Sequence, residues 1–190
     1  MPVVQSQQSH RSPVWLPDGH FQSIYPSLFR KVAPVFNPIR ERLELPDGDF
    51  LDVDWFRQSV NSSEKPWVIV SHGLEGSSDR HYVLGLVNAM LEQGFNALAW
   101  NYRSCSGDPN RNLRFYHSGA TDDLDFVIQQ AVARGVKDIY LAGFSLGGNL
   151  SLKWLGENAK KASQFVRKAV AFSVPLHLSS SSQQLTRWEN

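Results

Sequence analysis

The chain has 190 residues, 42% of them hydrophobic and 19% charged, with a formal net charge of +1. That length and composition support one globular domain with a hydrophobic core; they exclude a disordered chain and leave little room for two domains. A charge this close to zero, with no run of Lys and Arg, argues against nucleic acid as a partner.

From the N-terminus, Met1 to Ser12 is polar and lacks the apolar stretch of a secretory signal. Nowhere is there an apolar run long enough to cross a bilayer. The expectation is a soluble, cytoplasmic protein. Residues 1–40 then read as an arm packed on the core, rich in proline (Pro13, Pro17, Pro26, Pro34, Pro38) and scattered with Trp15, Phe21, Tyr25, Phe29 and Phe36. Prolines break regular structure while the aromatic rings favour burial. A second reading is a lid or lipid-contacting element, because Tyr25, Leu28 and Phe29 adjoin Arg30 and Lys31. Packing on the core is preferred, since interfacial helices carry a longer and cleaner apolar face.

The core is expected over 41–175. Glu41 to Leu45 and Phe50 to Phe56 read as strands joined by Pro46-Asp47-Gly48-Asp49, a turn sequence that makes a hairpin. Asn61 to Pro66 is a loop. Strands and helices then alternate. Trp67 to Val70, Ala97 to Trp100, Ile139 to Ala142 and Ala169 to Val174 are short apolar runs of the kind buried on both faces of a parallel sheet. Tyr82 to Leu91 and Ser118 to Ala133 place apolar residues at helical spacing, and Leu146 to about Leu155 is a third helix. Asp122 and Asp123 suit the first turn of the second helix, where the peptide dipoles favour negative charge. This order predicts an α/β fold, a mostly parallel sheet flanked by helices. After Pro175 no strand or helix signal closes the chain.

The chemistry centres on Gly143-Phe144-Ser145-Leu146-Gly147. A serine between a strand and a helix must turn sharply, and small residues two before and two after allow it. The hydroxyl then stands at the carboxyl edge of the sheet, with the next backbone N–H aimed at the same spot. Ser145 is therefore the candidate nucleophile, active only with a base nearby. Ser71-His72-Gly73-Leu74-Glu75-Gly76 follows the first buried strand, and a Gly-containing turn there can aim the Leu74 N–H at the same centre. Leu74 and Leu146 are the candidate oxyanion-hole amides. His72 precedes the serine and reads as a buried histidine holding its loop. Cys105 stands alone, which excludes an intramolecular disulfide and fits a reducing compartment. The histidines and Cys105 show no ligand spacing, so neither a metal nor an organic cofactor is expected. No Gly-x-Gly-x-x-Gly or Gly-Lys-Ser/Thr supports nucleotide binding.

Several of these segments together resemble the YheT-like α/β-hydrolases: His72 to Ser77, Asn101 to Gly107, Tyr116 to Gly119, Gly143 to Asn149, Lys153 to Glu157, and Gly19 to Pro26 in the arm. The resemblance spans nearly the whole chain. It implies serine-dependent hydrolysis of carboxylic esters by a Ser-Asp-His triad with Ser145 as nucleophile. It also implies a small-molecule or lipid ester as substrate, with peripheral membrane contact as a further expectation, since animal relatives are membrane-anchored acylglycerol lipases and esterases. Two departures stand out. Ser104 replaces a glycine usual in the family, and the sheet is expected to lack its last strands, 176–190 being the start of a cap region. The triad acid and histidine are expected beyond Asn190. After Ser145 there is no Asp, only Glu157 and Glu189 as Glu, and only His177 as His, which follows the wrong strand. The chain is thus expected to be a fragment of low or no activity, the alternative being a degenerate hydrolase that serves as a binding module. Oligomeric state is left open.

Overall fold

The computed structural model describes residues 12–57 and 65–186, with Leu185 described by its backbone alone. The polar N-terminus, most of the loop expected over Asn61 to Pro66, and Glu189 lie outside these residues. The chain divides into two compact units between Lys31 and Val32.

The first unit is built on α1, Gly19–Phe29. Where prolines predicted an irregular arm, a helix forms despite Pro26 in its third turn. Asp18 starts it, accepting from the N–H groups of His20 and Phe21 at 2.9 and 3.1 Å, which satisfies two amides that a helix start leaves open. Phe21, Ile24, Tyr25, Leu28 and Phe29 recur at helical spacing and all are exposed. Tyr25 contacts the rings of Trp15 and Phe29 at 5.3 and 5.1 Å.

The second unit contains one six-stranded sheet. The hairpin pairs β1, Ile39–Glu44, antiparallel with β2, Phe50–Phe56. The strands β3, Trp67–Ser71, β4, Asn96–Trp100, β5, Ile139–Phe144, and β6, Val166–Phe172, run parallel. The order is β1-β2-β4-β3-β5-β6, with β2 antiparallel to β4. The chain therefore has the expected α/β architecture, a mostly parallel sheet between layers of helix.

Period-two alternation explains the two layers. Trp67, Ile69, Leu98, Trp100, Ile139 and Leu141 share a core with Leu124, Val127, Ile128, Leu150 and Trp154. Those partners lie on α3, Thr121–Ala133, and α4, Leu146–Glu157. Val68, Val70, Ala97, Ala99 and Ala142 face the other way, onto Val83, Leu84, Val87 and Leu91 of α2, His81–Glu92. Asn88 of α2 also ties down the chain entering this unit, accepting from Val35 N–H at 3.0 Å and donating to Ala33 O at 2.8 Å.

The hairpin pairs two buried carboxylates with two partly exposed arginines. Arg40 and Arg42 stand opposite Asp54 and Asp52 in register, each in a bidentate contact of 2.8 Å. Two fully paired forks let β2 be buried along its whole length although it carries two carboxylates.

Four differences from the sequence reading in this unit exceed two residues. Residues 118–120 form a turn, so α3 starts at Thr121. The strand expected over Ala169 to Val174 runs three residues earlier at its start, because Arg167 and Lys168 are tolerated on an exposed edge. Beyond Pro175, where no element was expected, α6 spans Leu178–Leu185, and a short α5 fills Ala159–Ala162. The start of α6 is set by His177, whose ring accepts from Ser180 N–H at 3.2 Å.

Candidate active site

Ser145 sits between β5 and α4 with φ 51° and ψ −114°, a left-handed conformation that a side chain adopts only under support from its surroundings. Its N–H donates to Phe172 O at the end of β6 at 2.8 Å, and its carbonyl accepts the first helical bond from Asn149 at 3.1 Å. The flanking glycines leave no room for anything larger. A Cβ on Gly143 would lie 2.4 Å from Gly147 O, and one on Gly147 would lie 2.4 Å from Ser71 O. The sharp turn thus brings the start of α4 against the end of β3, where the next loop begins.

That loop is His72 to Gly76. A Cβ on Gly73 would stand 3.5 Å from Ser145 Cβ, so the loop passes directly beside the serine. His72 is fully buried. Its Nδ1 donates to Gly73 O at 2.7 Å and its Nε2 accepts from Tyr102 N–H at 3.3 Å. A ring protonated on Nδ1 alone makes both bonds, so it is neutral, and burial pushes its pKa down to about 4. His72 is a structural brace.

Leu74, Ser145 and Leu146 line one cavity of about 810 Å³, together with Ser173, Val174, Leu178 and the run Ser180 to Ser182. Among the described residues, none that lines it is charged. Three sequence candidates therefore meet in one place. Two other groups do not join them. His177 caps α6 and is not among the lining residues. Glu157 ends α4, where it is paired with Lys153 and accepts from Thr121 Oγ1 at 2.8 Å; that Lys153 contact holds its pKa below the usual carboxylate value. Among the described residues none hydrogen-bonds the Ser145 hydroxyl. Among them, too, no group of three or more His, Cys, Asp or Glu side chains could hold a metal ion.

Residues assigned no role from the sequence surround the loop. Tyr82 and Tyr116 accept from its amides at Gly73 and Glu75, at 3.1 and 3.0 Å. Tyr102 Oη donates to His72 O at 2.8 Å. Tyr116 belonged to one of the family-like segments, a signal that could have drawn attention to it. Ser104, the departure from the family's glycine, has φ 63°. It occupies a left-handed position that glycine takes without strain.

A serine on a strained strand-to-helix turn, at the carboxyl edge of a mostly parallel sheet, defines the α/β-hydrolase class. The chain belongs to that family: residues 62–189 match the family model described as Serine aminopeptidase, S33. It is 37% identical over 169 residues to YheT of Escherichia coli (strain K12), a candidate esterase, covering 88% of this chain and 49% of that protein. It is 27% identical over 192 residues to the Homo sapiens phospholipase ABHD3, covering 98% of this chain and 46% of the relative. The chain thus spans about half the length of these curated relatives. Among solved structures, the Pyrococcus furiosus esterase Pf2001 superposes with a TM-score of 0.63 at 19% identity, covering 82% of this chain and 58% of that one. Among the described residues, no helix is long and apolar enough to cross a membrane.

Proposed function

We propose that this chain carries the nucleophile and oxyanion-binding half of a serine-dependent carboxylic ester hydrolase. The observation that carries the reading is the meeting of Ser145, Leu74 and Leu146 on one cavity. Ser145 Oγ attacks the ester carbonyl and loses its proton to a base. The N–H groups of Leu74 and Leu146 hold the tetrahedral oxyanion, the alcohol leaves, and water releases the acid from the acyl-serine. An oxyanion donor of this type contributes about 3–4 kcal/mol to the rate.

In the cavity wall, Val174 and Leu178 beside several hydroxyls suit a neutral acyl chain with a polar alcohol, including a lipid ester. The exposed stripe of α1 next to Arg30 and Lys31 fits peripheral contact with an anionic membrane. Co-sedimentation with phosphatidylglycerol vesicles, lost on Leu28→Ser with Phe29→Ser, is the expected result there; binding equal in both proteins rejects the contact.

Among the described residues Glu157 and His177 are bonded elsewhere, and the second reading is a hydrolase fold used for binding without turnover. By analogy with serine proteases, absence of the base removes about six orders of magnitude in turnover. A fluorophosphonate probe separates the two when imidazole is added to the buffer as an external base. The serine oxygen bonds phosphorus, fluoride leaves, and imidazole takes the proton. Slow labelling that imidazole accelerates, abolished in Ser145→Ala, is expected. Labelling indifferent to Ser145, or none with imidazole present, overturns the hydrolase reading.

A further inference from the structure

We propose that Tyr82 and Tyr116 are positioning residues that hold the Leu74 amide as the free donor facing Ser145. The inference rests on the ester-hydrolase reading and assigns the parts that aim its oxyanion donor.

The amides of the loop between β3 and α2 can be followed one by one. Gly73 N–H donates to Tyr82 Oη at 3.1 Å, and Glu75 N–H to Tyr116 Oη at 3.0 Å. Gly76 N–H donates to Gly73 O at 3.1 Å. Between the two tyrosine-bound amides, Leu74 N–H has no protein acceptor among the described residues, while Leu74 itself lines the cavity with Ser145. Donors on either side are satisfied, and the one left over belongs to the residue that lines the cavity with Ser145. An oxyanion donor helps the transition state only if it is already aimed when charge develops, and fixing the neighbouring peptides is what aims it.

Each tyrosine is itself anchored. Tyr82, near the start of α2, packs edge-on against Phe144 with ring centres 4.8 Å apart. Phe144 precedes Ser145, so a single side chain ties the donor loop to the strand bearing the nucleophile. A Cβ on Gly76 would lie 2.6 Å from Tyr82 Oη; glycine there makes room for the phenol. Tyr116 reaches the loop from the other direction, stacked on Tyr102 at 5.1 Å. It bonds the amide of Glu75, whose φ of 53° is left-handed and persists only under support from outside the loop.

Phenylalanine fills the same volume and accepts nothing, so Tyr82→Phe and Tyr116→Phe isolate the two bonds. The chain and both variants are labelled with the fluorophosphonate in imidazole buffer, recording the saturated rate and the half-saturating concentration. Amide exchange at Gly73, Leu74 and Glu75 is followed by NMR on the same samples. Each variant is expected to lower the saturated rate about tenfold, part of the 10²–10³ that a lost donor costs, with the half-saturating concentration unchanged. Exchange should quicken at Gly73 in Tyr82→Phe and at Glu75 in Tyr116→Phe. Wild-type rates in both variants overturn the positioning role and leave the hydrolase reading intact. A rate loss explained by a lowered thermal midpoint, with half-saturation moving in step, also overturns it. If the parent chain shows no Ser145 labelling, the hydrolase reading fails, and unchanged exchange at Gly73 and Glu75 then rejects the clamp independently.

Discussion

His72 holds its loop as a neutral ring, and that makes the fold sensitive to acid in a defined window. Its pKa is lowered to about 4 in the folded chain from 6.5. Below pH 6.5 the unfolded chain binds a proton that the folded chain refuses, so stability falls as pH drops toward 4. The full difference is about 3 kcal/mol. Urea unfolding at pH 7, 5.5 and 4.5 should show this slope, and His72→Gln should flatten it relative to the parent; identical slopes would remove His72 from the account. At Gly147 the constraint is steric. A methyl 2.4 Å from Ser71 O must push α4 off the end of β3, and Gly147→Ala is expected to cost about 1–3 kcal/mol. Thermal melts of the variant test this. These glycines were legible from sequence because the turn needs them within two residues of the serine. The roles of Tyr82 and Tyr116 were not, since their partners lie 9 and 41 residues away; only Tyr116 carried a signal, its place in a family-like segment, and that signal names no bond.

Separate elements are joined by buried charge as well as by apolar packing. Arg103, in the loop after β4 and only 2% exposed, reaches Asp47 and Asp49 in the hairpin turn and Asp123 in the first turn of α3. Asp49 and Asp123 are buried with it. Arg103→Met keeps the apolar stem and strands those carboxylates without a cation, a loss of about 3–5 kcal/mol by the usual cost of breaking a buried pair. Denaturant midpoints compared with Arg42→Met, where the wild-type side chain is 39% exposed, should rank Arg103 as the larger loss; equal effects would mean that water replaces the guanidinium in both places. Sequence reading placed Asp122 and Asp123 in the first turn of α3 for the sake of its dipole. The structure adds the partner, Arg103, which sequence spacing could not supply. It also adds α6, invisible earlier because a run of serines has no apolar period and the helix start depends on the His177 side chain.

For the whole molecule, the continuous apolar runs of β3, β4 and β5 foretold a sheet covered on both faces, and the two cores on opposite sides follow from the period of two within those runs. That logic weakens at β6, where the outer positions are open. Arg167 and Lys168 guard its first half, but Val170 and Phe172 are 47% and 39% exposed, and its only strand partner among the described residues is β5. A strand edge with apolar side chains and free backbone groups is a template for another chain. The 190-residue chain is therefore expected to self-associate as concentration rises, through β6 rather than through the hairpin edge. The hairpin's outer strand carries Arg40, Glu41, Arg42 and Glu44, charges that oppose pairing. Val170→Lys places a charge in the middle of the β6 edge and should shift the chain toward monomer in sedimentation or size-exclusion experiments. It should leave labelling of Ser145 unchanged, because Val170 does not line the cavity. Association that persists undiminished in Val170→Lys would assign the contact to another surface, the exposed stripe of α1 being the next to remove.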